Sequence, residues 1–181
     1  MHRQLNLLFV LTAAILLSSL SLQADTPRPI SIDQLTTKSH LVLHGTVVSK
    51  SVQRDPENRI YTKIDLQVAE VWKGTLTTNH FTIIHGGGIL GDERVDVSGQ
   101  VEYEIGEEVV VFLLVNQRGE GVSIGMDQGK FHVSTDAKTG EKLVQNPFHG
   151  QSTATAGTAP ASRSTRLKLL DLKQQVTGGT K

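Results

Sequence analysis

Residues 59–74, RIYTKIDLQVAEVWKG, constrain the fold most tightly. Ile60, Thr62, Ile64, Leu66 and Val68 alternate with Tyr61, Lys63, Asp65 and Gln67. A period of two puts the first set on one face of an extended chain and the second on the other, which predicts a strand with one buried and one wet side. The phase then breaks, because Val71 rather than Glu70 is the next apolar residue. That extra step predicts a β-bulge ahead of Trp72, and with it a curved strand.

The flanking sequence extends this reading. LVLHGTVVSKSV, from Leu41 to Val52, predicts a strand with Leu41, Leu43, Gly45 and Val47 on one face, where Gly45 marks a bend or a close backbone approach. HFTIIH predicts a short strand running into a glycine run, and RVDV a candidate edge strand. EVVVFLLV is an unbroken apolar run of the kind covered on both faces. Glu102 and Glu104 alternate with Val101, Tyr103 and Ile105 and read as the solvent face of a further strand. GVSIGM, GKFHV and EKLVQ complete the β-rich part.

Helical signals are confined to the two ends. SIDQLTTKSH offers Ser31 and Asp33 as caps, with Ile32 and Leu35 at helical spacing. STRLKLLDLKQQV sets Leu169, Leu172 and Val176 along one stripe, with Leu167 and Leu170 beside it. This predicts an amphipathic helix docked on the β-rich body, with a detached, frayed tail as the alternative. Short strands separated by turns, with no long helix between them, favour a barrel or sandwich over a βαβ architecture.

The domain reading follows. Residues 1–24 carry Arg3, an apolar stretch from Leu7 to Leu17 and small residues after it, which predicts a signal peptide cleaved after Ala24, with an uncleaved anchor as the alternative. A β-barrel domain is expected over 25–149. A Ser, Thr, Ala, Gly and Pro-rich linker is expected over 150–164, and a C-terminal helix over 165–177. The leader predicts a secreted or periplasmic bacterial protein with no membrane span once it is removed. The chain has 18 Lys and Arg against 18 Asp and Glu. Such neutrality gives no electrostatic pull toward nucleic acid. Absence of cysteine excludes a disulfide framework, a thiol nucleophile and any Cys-based zinc site, so an apolar core must hold the fold.

Two strings raise the question of catalysis. HGGG at 85–88 and GVSIG at 121–125 match the oxyanion-hole and nucleophile motifs of lipases and esterases. Those enzymes place the serine on a strand-to-helix elbow, whereas the residues after Ser123, IGMDQGKFHV, predict a turn into another strand. The glycine N–H groups are therefore expected to face solvent or a neighbouring strand and not to converge on Ser123. His40 and His44 lie four apart on one strand, and His80 and His85 flank another, without the spacing of a known metal motif. Glu107 with Glu108 is the remaining carboxylate pair. Trp72 is either an exposed binding ring or a core plug.

The motif order VWKG, then GGGILG, then VSGQVEYEIGEEVVVFL, then DQGKF resembles a family of uncharacterised exported bacterial proteins. Its members read V-W-K-G, G-G-x-x-G, V-x-G-x-P-x-F-x-x-G-E-x-V-V-x-F-L and Q-G-K-F. The resemblance runs from about Leu35 to Val133, with Val101 where the pattern has proline and Tyr103 where it has phenylalanine. It implies a small β-barrel, OB-like or netrin-like. The expected function is a non-enzymatic exported binding or interaction domain. Its partner is a protein or glycan of the cell envelope or outside the cell, and it uses no cofactor or metal. Binding is expected through Trp72, Lys73 and Gly74 and through His85, Gly86, Gly87, Gly88 and Gly91. The alternative is a small secreted serine hydrolase or metal-dependent enzyme using Ser123 or the histidines.

Overall fold

The computed structural model describes residues 28–150 and 166–178. The signal peptide expected over 1–24 and nearly all of the linker expected over 150–164 lie outside the described residues. The protein is mainly β. Helix α1 (Ile32–Lys38) leads into two long strands, β1 (Leu41–Arg54) and β2 (Ile60–Lys73), and then β3 (His80–Gly86). A small hairpin, β4 (Gly88–Leu90) and β5 (Glu93–Val95), precedes β6 (Glu108–Val115), β7 (Gly121–Ser123), β8 (Lys130–Thr135) and β9 (Lys142–Gln145). The described chain closes with β10 (Leu167–Lys168) and helix α2 (Leu169–Gly178).

Eight strands form one mixed sheet in the order β1-β2-β3-β7-β6-β8-β9-β10, and β1 also pairs with β6, which bends the sheet into a partial ring. Its weakest join is between β3 and β7, parallel and paired only at Ile83 and Gly121. The hairpin β4–β5 stands as a separate two-stranded sheet, so the expected edge strand RVDV pairs only within that hairpin.

In β2 the predicted alternation is present from Ile60 to Leu66. Two bulges follow rather than one. The register steps from Gly45 opposite Val68 to His44 opposite Glu70, leaving Ala69 over, and from Leu43 opposite Val71 to Val42 opposite Lys73, leaving Trp72 over. Their effect is to turn Val71 outward, at 40% exposure, and Trp72 inward, at 6%. Gly45 sits at the first of these steps, where a Cβ would lie 2.3 Å from the Gln67 carbonyl oxygen, so no larger residue fits without moving the strand.

Two apolar cores lie on opposite faces of β1 and β6. Leu43, Val47, Val109, Val111 and Leu113 point to the inside of the ring with Ile64, Leu66, Ile83 and Tyr103. Val42, Val110 and Phe112 point the other way, toward Phe131, Trp72, Leu35 of α1, and Leu172 and Val176 of α2. The second face of β1, carrying Val42 and His44, is thus buried as well. EVVVFLLV is covered on both faces, as expected for an unbroken apolar run.

The alternation read over 101–105 holds as far as Glu104, with Val101 and Tyr103 buried and Glu102 and Glu104 exposed, yet the stretch is not a strand and Ile105 lies in a turn. Backbone bonding to the sheet resumes just after it, where the Gly106 N–H donates to the Val47 carbonyl (2.8 Å) and the Val47 N–H donates to the Glu107 carbonyl (2.9 Å). Ile105 is exposed.

The N-terminal cap is as its sequence predicts, whereas the helix expected over 165–177 begins only at Leu169, because Leu167 and Lys168 pair with Val144 and Leu143 as β10. Ser31 caps α1 in a reciprocal box with Gln34. In α2, Leu172 and Val176 are fully buried, Leu170 is exposed, and Lys173 pairs with Glu70 of β2 at 2.7 Å. Docking therefore rests on the predicted stripe. Leu172→Ala is expected to lower unfolding free energy by about 2–5 kcal/mol, against less than about 0.5 kcal/mol for Leu170→Ala, in urea titrations of the full chain.

Candidate functional site

The two loops expected to bind together are far apart. Gly86 pairs with Tyr61 near the start of β2, whereas Trp72, Lys73 and Gly74 follow at its other end, roughly 35 Å of strand away. Trp72 is buried, its indole N–H donating to Glu70 Oε2 at 2.7 Å and its ring tilted against His44. Lys73 Nζ donates to the carbonyls of Thr36 (2.5 Å), Ser39 (2.8 Å) and Thr37 (3.3 Å), which terminate α1. A helix leaves its last carbonyls without partners, and this ammonium supplies them. Gly74, at φ +85°, lies so near His40 and Leu41 that a side chain would collide with both. The VWKG residues thus serve the junction of α1 with the sheet.

The glycine run is taken up by turns and pairing. The Gly87 N–H donates to the Ile60 carbonyl (2.9 Å), and the Gly87 carbonyl accepts from Thr62 Oγ1 (2.8 Å). Gly88 opposes Val95 in the small hairpin, and Gly91, at φ +62°, turns its tip. Gly87, Gly88 and Gly91 do not line the pocket that holds Ser123.

His85 and Gly86 do line it, and here the structure departs from the expectation. Ile83 lies opposite Gly121 in a parallel pair, so two residues further on His85 and Ser123 share the face that Ile83 turns to the core. Together with Tyr103 they border a cavity of about 220 Å³ at the seam between β3 and β7. Its remaining walls include Ile84, Val97, Val101, Val122 and Met126. No Asp, Glu, Lys or Arg lines it.

Tyr103 and Ser123 are joined by a hydroxyl–hydroxyl hydrogen bond of 2.8 Å. Burial pushes the phenol well above the ordinary tyrosine range; the Ser123 bond opposes that and the nearby Glu107 charge adds to it. Outside the pocket Lys130 Nζ lies 4.7 Å from the Tyr103 ring centre and pairs with Glu107 at 2.7 Å, while also donating to the Glu102 carbonyl. Burial works against the Glu107 charge. Lys130, the Glu104 N–H and His132 outweigh it and hold the carboxyl below its usual range.

The His85 Nδ1–H donates to the Gly86 carbonyl at 2.9 Å, which leaves the lone pair on Nε2. That nitrogen is enclosed and has no hydrogen-bond partner. Burial lowers the His85 pKa, against the opposing pull of the Gly86 carbonyl and Glu102.

After Ser123 the chain turns at Gly125, makes a single 3-10 turn over Met126–Gly129 and enters β8. No strand-to-helix elbow is present. A serine nucleophile needs a base at its oxygen, and the group bonded to Ser123 Oγ is a neutral phenol.

The other candidate groups are dispersed. Among the described residues no cluster of three or more His, Asp or Glu side chains could hold a metal. His40 precedes β1 and accepts the Val115 N–H at 3.0 Å, while His44 is buried against Glu108 at 2.7 Å. Glu107 and Glu108 diverge, the first to Lys130 and His132, the second to His44 and Lys142. No helix among the described residues is long and apolar enough to cross a membrane. No family model matches the chain, and neither does any curated protein.

Sequence reading treats Tyr103 as strand filler and does not join it to Ser123. The link depends on the parallel β3–β7 seam, for which no local pattern exists. Because the folded His85 pKa lies below the ordinary 6.5, its contribution to stability is complete above that pH and is lost as pH falls through the folded value. His85→Leu also removes an unpaired enclosed nitrogen. The variant is expected to equal or exceed the parent in stability at about pH 7 and to lose less between about pH 7 and pH 5, as read by thermal unfolding across that range.

Proposed function

We propose that this chain is a non-enzymatic interaction domain, exported to the periplasm or beyond, built on a small OB-like β-barrel. The ring order β1-β2-β3-β7-β6, returning to β1, supports that fold, since it is the five-stranded Greek-key path with its third and last strands parallel. The two helices packed over one outer face agree with the netrin-like variant that the motif resemblance implies. Fold alone assigns no activity.

One observation carries the reading. Val97, Val122 and Met126 are exposed at between 39% and 57% and line the Ser123 cavity, while Ile89 and Val95 are exposed at 59% and 41% on the β4–β5 hairpin, Val95 in a second depression that shares Gly86 and Val97 with that cavity. Clustered exposed apolar side chains mark contact surfaces. Their chemistry favours a protein partner over a glycan, because sugars are held by exposed rings and hydrogen-bonding groups, whereas Trp72 and Tyr103 are buried. Charge balance and a low aromatic content count against nucleic acid.

The serine hydrolase reading keeps one observation in its favour, the meeting of His85 and Ser123 in one cavity. It lacks a base bonded to Ser123. A fluorophosphonate probe is therefore expected to leave the wild-type chain unlabelled, and labelling abolished by Ser123→Ala would overturn the non-enzymatic reading. In pull-downs from the cell envelope, Ile89→Lys with Val97→Lys is expected to reduce partner retention about tenfold or more while unfolding stays within about 0.5 kcal/mol of the parent.

A further inference from the structure

We infer that the cavity between β3 and β7 is a recognition pocket for a compact, uncharged, mainly apolar group bearing one hydroxyl. The inference rests on the non-enzymatic reading of Ser123 and goes beyond it by naming what the residue contacts.

Size sets the first limit. The cavity holds about 220 Å³, and an engineered protein cavity of roughly 150 Å³ already admits benzene. A substituted ring or a single large side chain fits, and a drug-sized molecule or a sugar chain does not.

Charge sets the second. The walls carry no Asp, Glu, Lys or Arg side chain, their polar groups besides the hydroxyl pair being His85, Ser98 and Gln100, and the charges next to Tyr103 are paired with each other, Lys130 with Glu107 and Lys50 with Glu102. An anion or a cation entering the cavity would lose its hydration without gaining a partner.

The hydroxyl pair sets the third. Tyr103 and Ser123 hold two hydroxyl hydrogens between them, and their mutual bond uses one. Neither oxygen has another hydrogen-bond partner among the described residues, so one hydrogen and several lone pairs remain at the cavity wall. Phenylalanine and alanine would fill the same space without that polarity. A spare donor beside free acceptors suits a group that both gives and takes a hydrogen bond, and a hydroxyl does both.

The mouth matches such a guest. Val97, Val122 and Met126 line the cavity while remaining exposed. A guest can therefore be a free molecule or the tyrosine side chain of a partner docked on the surrounding apolar surface; both present the same chemistry.

The test is fluorine NMR on the full chain with three probes of equal ring size, 4-fluorophenol, fluorobenzene and 4-fluorobenzoate. Binding of 4-fluorophenol is expected to exceed that of fluorobenzene about tenfold, with no binding of the benzoate. The double variant Ser123→Ala with Tyr103→Phe keeps the packing and is expected to bring the two neutral probes within about threefold. Val122→Trp, a change at the exposed mouth, is expected to abolish both. Displacement of 4-fluorophenol by acetyl-Gly-Tyr-Gly-amide but not by its phenylalanine analogue assigns the pocket to a partner's tyrosine, and bound 4-fluorophenol that resists the peptide assigns it to a free molecule. Equal binding of phenol and benzene probes, binding of the benzoate, unchanged binding in Val122→Trp, or no binding at all would overturn the inference. Those failures are separate from fluorophosphonate labelling, which would overturn the non-enzymatic reading itself.

Discussion

Everything in this structure depends on the pairing of β1 with β6, because those two strands form the wall that both cores share. Leu43 and Val111 face the inside of the ring, while Val42, Val110 and Phe112 face the helices. A strand that is apolar on both faces carries no inside-out signal, so burial alone does not fix its register. Features that are not apolar supply the missing information. Only a glycine can stand where the Gln67 carbonyl crowds position 45, and Glu108 lies where its carboxylate reaches His44 and Lys142. Burial disfavours the Glu108 charge, and those two partners more than offset it, so a shifted register would strand a carboxylate at the core margin.

The second determinant is an interruption. β7 and β8 run along the same edge of β6, Ser123 opposite Leu113 and Lys130 opposite Val111, with the excursion Ile124–Gly129 between them. The Ile124 N–H still donates to the Phe112 carbonyl, and Gly129 folds back so closely over Ile124 that a Cβ would lie 2.3 Å from its carbonyl oxygen. Gln128, at the centre of the excursion, accepts the Ile30 N–H at 2.7 Å and ties the lead-in of α1 to it. Four residues of the DQGKF string, Gln128 to Phe131, are thus accounted for. Its glutamine anchors the chain start, its glycine permits re-entry, its lysine covers Tyr103, and its phenylalanine fills the outer core.

What was legible in the sequence was local. The alternation from Ile60 to Leu66, the cap at Ser31 and the stripe of Leu172 and Val176 each depend on neighbours a few residues away, and each appears as read. Trp72 was legible as a core plug and the bulge at Ala69 as the phase break ahead of it, but the second bulge, at Trp72 itself, was not, because it shows only in the pairing with β1 and leaves Val71 exposed. The site was least legible of all. GGG and GVSIG look like two halves of one catalytic device, yet the glycines past Gly86 are consumed by β2 and the hairpin. What reaches Ser123 is the histidine ahead of them, through a parallel contact of a single residue pair. Tyr103 reaches the same point from a segment whose alternation marked it only as buried.

A catalytic serine and a hydrogen-bonding serine differ in what lies against the oxygen. In a hydrolase that neighbour takes a proton, so it must titrate near working pH and be held there by a third group. Here it is a fully buried phenol whose ionisation burial opposes, and a hydroxyl that does not ionise gives Ser123 a partner without making it a nucleophile. The nearby carboxylate Glu107 is held by Lys130 and does not line the cavity. Tyr103 therefore has two roles that reinforce each other. Its ring lies between Lys130 and the apolar core it packs in, and its hydroxyl, with Ser123, Ser98 and Gln100, gives the cavity polar groups that carry no charge.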